Sequence, residues 1–139
     1  MASYNKFNCF VEDLAEKVHN LQSDTLKVAL TNTLPVATNT VFANITEISA
    51  GNGYTAGGTT ATVSSSAQTS GTYKLVLNDV TFTASGGAMA AFRYVILYNS
   101  TPAAGNLIAW FDYGSSLTLN SGESLLVDFD ATNGVLTIA

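Results

Sequence analysis

From residue 24 onward the chain is written almost entirely in short runs rich in Val, Thr, Tyr, Leu and Ile, and this restricts the fold more than any other feature. The runs fall at residues 25–30 (TLKVAL), 41–48, 61–66, 72–77, 80–84, 91–98, 107–113, 117–120, 124–130 and 135–138. β-Branched and aromatic side chains suit a pleated, half-buried surface, so the pattern predicts about eight to ten strands. Turn residues separate them: Gly86-Gly87, Asn120-Ser121-Gly122, and Asn133-Gly134, the last a strong hairpin signal. Many short strands with no alternating helices predict a mainly β fold, an antiparallel β-sandwich or jelly-roll-like barrel.

The first residues read differently. Seven of the fifteen charges, Lys6, Glu12, Asp13, Glu16, Lys17, Asp24 and Lys27, lie within the first 27 positions. Phe7, Phe10, Val11, Leu14, Val18 and Leu21 recur at steps of three and four, with Glu12, Asp13, Glu16 and Lys17 on the opposite side. That is the period of one amphipathic helix, predicted over residues 5–19, with Asn5 as N-cap and a stop at Asn20, Ser23 and Asp24. The expected organisation is an N-terminal helix and arm, residues 1–22, followed by a β-sandwich domain, residues 23–139. One helix cannot bury its stripe alone, so it must lie on the sheet or on a neighbouring subunit.

Composition narrows the function. Charged residues are 11% of a chain that is 47% hydrophobic, so its solvated surface must be Ser, Thr, Asn and Gly or be hidden against other copies. A net charge of -5 provides no basic stripe for a phosphate backbone, which argues against nucleic acid as a partner. The lone Cys9 excludes an internal disulfide and a cysteine-built metal cluster. No apolar stretch is long enough to span a membrane, and Glu12, Asp13, Glu16 and Lys17 interrupt the place of a secretory leader, so synthesis in a cytosol is expected.

Candidate reactive groups do not converge in the sequence. His19, the only histidine, falls at the end of the predicted helix and is expected to cap it or face solvent. Asp128 and Asp130 open a D-x-D motif, but DFDATNG lacks the glycine and the final acidic residue of a calcium loop. A glycosidase pairing Asp112 with Asp128 or Asp130 would require the carboxyls to face each other across a cleft. GNGYTAGG, residues 51–58, carries neither a phosphate-loop Lys-Ser/Thr nor a dinucleotide fingerprint, and reads as a tight turn beside a packed Tyr54. No catalytic, cofactor or metal site is therefore expected.

Two features leave alternatives open. Residues 49–72 contain sixteen Ser, Thr or Gly in twenty-four positions and read either as a long surface connection or as an extended arm or β-flap laid across a neighbouring molecule. In FRYVILY, Phe92, Tyr94, Ile96 and Tyr98 alternate with Val95 and Leu97; in LIAWFDY, Ile108 and Trp110 alternate with Leu107, Phe111 and Tyr113. Both faces need cover, so one is roofed by the helix or forms a subunit contact.

SDTLKVALTNTLPV, GNGYTAGG, AFRYVILYN, LIAWFDYGSS, GESLLVDFD and NGVLTIA, in that order, resemble a group of small structural proteins of tailed bacteriophages and prophages, over residues 23–139. The resemblance implies a β-sandwich-like virion protein made in the bacterial host, without enzymatic activity or cofactor. With the charge-poor surface, it leads to a capsid decoration (cement) protein, expected as a homo-oligomer, simplest as a trimer, on the major capsid protein or another virion protein. The expected contact residues are Phe7, Phe10, Val11, Leu14, Val18, Tyr94, Tyr98, Trp110 and Tyr113. The alternative is a tail or tail-fibre component contacting the host surface, with Tyr54, Tyr98, Trp110 and Tyr113 stacking on sugars.

Overall fold

The computed structural model describes residues 2–139. In chain order the elements are β1 (Ser3–Lys6), α1 (Cys9–Ala15), β2 (Leu26–Thr31), a 3-10 turn (Phe42–Asn44), β3 (Thr59–Ala61), β4 (Val63–Thr69), β5 (Thr72–Leu77), β6 (Val80–Thr83), β7 (Phe92–Asn99), β8 (Leu107–Leu117), β9 (Ser124–Val127) and β10 (Leu136–Ile138). They form a five-stranded sheet, order β1-β8-β7-β2-β3, a three-stranded sheet, order β10-β5-β4, and a β6-β9 pair. Every ladder is antiparallel. The fold is mainly β with one helix, a β-sandwich-like arrangement as the sequence predicts, and its sheets end in strand edges instead of closing on themselves.

Period-two alternation builds the core. On β2, Leu26, Val28 and Leu30 enter the main apolar cluster while Ala29 enters a second one on the opposite face. The main cluster joins these to Phe92, Val95 and Leu97 of β7, Ile108 and Ala109 of β8, Leu75 and Leu77 of β5, and Val80 and Phe82 of β6. Fully burying each large side chain contributes about 1.5–3 kcal/mol. The second cluster, Phe7, Ala29, Ile96, Tyr98 and Leu107, lies on the outer face of the five-stranded sheet, with Cys9, Phe42, Ile45 and Trp110 packed around it. The outer face is thus roofed by Phe7, Cys9 and the 3-10 segment; Phe10 and Leu14 of α1 pack on the main cluster instead.

Several sequence expectations are corrected. The helix is seven residues, not 5–19, because residues 3–6 satisfy their backbone groups on the edge of β8, with Asn5 opposite Trp110. Asn5 therefore caps nothing; Asn8 holds the cap position without a side-chain hydrogen bond. The chain leaves the helix early, through Lys17 at φ 68°. In the N-terminal segment β1 belongs to the large sheet, and Phe7 and Phe10 are buried.

Residues 49–72 include β3 and β4, paired with β2 and β5, so the segment is more than a surface connection. Its polar composition fits because β3 and β4 are edge strands whose outward side chains face water. Residues 41–48 hold the 3-10 turn and two isolated bridges, Val41 to Asn106 and Glu47 to Thr31, in place of a strand, and residues 118–120 lie beyond β8. Asn133-Gly134 makes a turn but no hairpin: β9 pairs with β6 and β10 with β5, so the chain changes sheets there. Asp130 organises that turn, accepting from the amides of Thr132 and Asn133 and from Asn133 Nδ2.

The faces of β7 and β8 also differ from strict alternation. Register shifts lie between Phe92 and Tyr94 and between Leu97 and Tyr98. They move Phe92 onto the main core beside Val95 and Leu97, and place Leu107 with Trp110 while Ile108 turns inward.

Candidate functional site

A mainly apolar groove of ≈ 690 Å³ lies between the N-terminal segment and the last strand. β1 and α1 contribute Tyr4, Lys6, Phe10, Val11, Leu14 and Ala15; the opposite wall is residues 133–138. β1 and β10 are each the edge strand of their sheet, so the groove runs along the side of the sandwich where both sheets stop. Val11 is 53% exposed, and Tyr4 and Ile138 are also exposed at its rim. The arrangement can seat apolar side chains of another molecule, and the strand edges can accept or donate backbone hydrogen bonds.

The sequence-derived contact residues divide. Val11 and Leu14 line this groove. Val18 lines a neighbouring depression of ≈ 450 Å³ with Leu14, Lys17 and His19. Phe7, Tyr94 and Tyr98 are buried within the chain, and Phe10, also buried, lies at the inner side of the groove. Trp110 is half-buried, its ring 4.7 Å from that of Phe7. Tyr113 is exposed on β8, outside both grooves. Sequence reasoning missed Tyr4 and Ile138, which come from opposite ends of the chain; the pairing of Leu136 and Ile138 on one strand face was the available signal.

The aromatic residues considered for sugar stacking are mostly committed elsewhere. Tyr54 is buried, donates to Glu47 Oε1 at 2.6 Å and accepts the Leu30 amide at 3.1 Å. Tyr98 stacks on Phe42 at 4.2 Å and donates to the Gly57 carbonyl at 2.6 Å. Burial raises both phenols above the ordinary tyrosine range, Tyr54 furthest because Glu47 adds to the effect. Gly57 also donates its amide to Glu47 Oε1, so GNGYTAGG is a clamp around one carboxylate. Its glycines are sterically required where the loop meets strands: a Cβ on Gly58 would sit 1.9 Å from the Val28 carbonyl oxygen, and one on Gly53 2.1 Å from that of Thr83.

Two of the three acidic candidates are likewise occupied. Asp112 receives Arg93 Nε at 2.8 Å and Nη2 at 3.0 Å, which holds its carboxyl below the usual range. Asp130 is lowered by the Asn133 hydrogen bonds, and Asp128 is exposed. None of the three lines either groove. Among the described residues, no three His, Cys, Asp or Glu side chains gather as metal ligands, and no helix is long and apolar enough to cross a membrane.

His19 is the clearest departure from expectation. Instead of capping a helix at the surface, its side chain is 0% exposed. Asn99 Nδ2 donates to Nδ1 at 3.0 Å, Phe10 lies 5.5 Å away ring to ring, and Asp13 Oδ2 is 3.9 Å from Nε2. Burial lowers its proton affinity, against an opposing pull from Asp13 and Asp24. Asp13 also sits beside Cys9, whose thiol is raised by burial and by that carboxylate. A raised thiol pKa disfavours the thiolate that a nucleophilic cysteine uses.

No family model, no curated protein and no solved structure matches this chain.

Proposed function

We propose that this protein is a non-enzymatic structural protein of a bacteriophage virion, a capsid decoration subunit that docks on the shell through the groove between α1 and β10. The groove itself carries the reading. It is an apolar surface bordered by two strand edges on a chain with few ionic side chains, whose His19, Asp112 and Asp130 are engaged in structural contacts. The bacteriophage assignment rests on the sequence resemblance described above. Around a lattice of identical sites, individually weak contacts of this kind add through effective concentration. A closed trimer on the major capsid protein is the simplest assembly matching local shell symmetry.

Quantitative mass spectrometry of purified virions and a binding assay on isolated heads test this. Hundreds of copies per particle and saturable binding to heads are expected. Val11→Asp, at an exposed position, leaves folding intact and weakens head binding by on the order of tenfold or more through a charge placed in an apolar contact. Absence from heads, or unchanged binding by the variant, overturns the proposal; a handful of copies with binding to host cells favours a tail component.

A further inference from the structure

His19 lies where three parts of the chain meet. Asp13 approaches from α1, Asn99 from the end of β7, and Asp24 from the loop that follows the histidine. The Asn99 amide is oriented by two other bonds: its Oδ1 accepts the Thr101 amide at 3.0 Å, and its Nδ2 donates to Asp24 Oδ2 at 2.6 Å. Nδ2 must therefore face the imidazole as a donor, and Nδ1 must accept. The neutral ring then carries its proton on Nε2, a buried donor with no hydrogen-bond partner among the described residues.

A second proton can enter only at Nδ1, where it meets the Asn99 amide donor head on. Turning that amide would break its bonds to Thr101 and Asp24. The same orientation excludes a metal at Nε2, because a metallated ring would need its proton on Nδ1. The other charged or titratable neighbours are Asp13, itself receiving Asn106 Nδ2 at 3.0 Å, Asp24, and Lys17 and Tyr73 around the adjoining depression.

The elements held by this ring are weak on their own. α1 has seven residues and no side-chain N-cap bond, too short to persist without tertiary contacts. The following loop is strapped through Asp24, which accepts the Asn20 amide at 2.8 Å and the Asn99 side chain.

We propose that His19 is a proton-sensitive latch: neutral, it holds α1 and the loop through residue 24 against the end of β7; protonated, it releases them while the sandwich stays folded. Release would dismantle one wall of the α1–β10 groove, but the latch stands whether or not that groove binds a shell. The sign follows from linkage. In the opened segment His19 titrates near its ordinary 6.5, and in the closed one lower, so the opened state binds more protons below that pH and opening becomes easier as pH falls.

Because the chain has one histidine, its ring resonance in an NMR titration is unambiguous. The expected result is a native titration below 6.5, with amide protection factors of residues 9–24 falling by up to tenfold per pH unit between 6.5 and 5. Amides of β7 and β8 keep their protection, and His19→Gln removes the pH dependence of the segment whatever its absolute stability. Titration at or above 6.5, pH-independent protection of residues 9–24, or equal loss throughout the sheet overturns the latch. Should the variant not fold, the wild-type titration and protection factors decide it alone.

Discussion

The two faces of the five-stranded sheet are both apolar and both covered, yet by different means. Inside, Val28, Leu30, Phe92 and Leu97 meet side chains from the other sheets, strand against strand. Outside, Ile96, Tyr98 and Leu107 are roofed by Phe7, Cys9, Phe42 and Ile45 from irregular segments, with contacts such as Phe42 on Tyr98 and Phe7 on Trp110. The inner face has cover on a regular lattice of alternating side chains. The outer face has cover from a few single residues, several of them half-exposed. Apolar strands on both faces therefore do not require a second subunit; a loop with three or four well-placed side chains suffices.

The largest effects are expected where that contrast is sharpest. Phe92→Ala, on the inner face and fully buried, should destabilise by about 3–5 kcal/mol through lost transfer energy and an unfilled cavity. Phe42→Ala, on the half-buried roof, should lose about 1–2 kcal/mol, since water already reaches part of the ring and a loop can collapse into the gap. Urea unfolding of both variants measures the difference. Equal losses would mean that the roof is as tightly packed as the sandwich, and the contrast would fail.

An effect between these two is expected at the rim, where β3 is the last strand of the sheet. Gly58 has φ +78° and lies against the Val28 carbonyl, so Gly58→Ala combines left-handed strain with displacement of the loop from β2. About 2–3 kcal/mol should be lost, with β3 amides losing protection against hydrogen exchange before those of β7. Uniform loss across the sheet would show that the rim is not an independent weak point.

How far the sequence foretold this depends on whether a contact is local. Alternation in TLKVAL places Leu26, Val28 and Leu30 inward because a strand's side-chain period is a property of the strand itself. The bulges of β7 and β8 were hidden, since they arise from the pairing of two strands and leave no mark in either. The helix was overextended because Phe7 keeps the three-to-four spacing while residues 3–6 pair with a strand a hundred positions away. β4 was foretold only over residues 63–66 for the opposite reason: an exposed edge strand needs no apolar residues to announce where it ends. At the groove, Val11 and Leu14 were visible on the helical stripe, whereas Tyr4 and Ile138 meet only in three dimensions. His19 looked superficial because Asn99, its partner, is 80 residues distant.

The smallest predicted effect tests whether one loop joins the two faces. Tyr54 belongs to the inner cluster and Tyr98 to the outer, and both phenols reach the loop closed by Glu47 and Gly57. Each is raised in the folded protein, so above pH 10 the unfolded chain loses protons that the folded one keeps, and stability falls as pH rises. Tyr54 alone accounts for up to about 1.4 kcal/mol per pH unit in that range. Tyr54→Phe should lower the stability at neutral pH by about 1 kcal/mol, for the lost hydrogen bonds, while flattening the alkaline decline. Tyr98→Phe should flatten it less, because Glu47 contributes more strongly at Tyr54, its direct hydrogen-bond donor. Thermal unfolding between pH 8 and 11 reads the slopes, and an unchanged alkaline slope in Tyr54→Phe would mean that the buried phenol and its carboxylate do not tie the inner face to the rim.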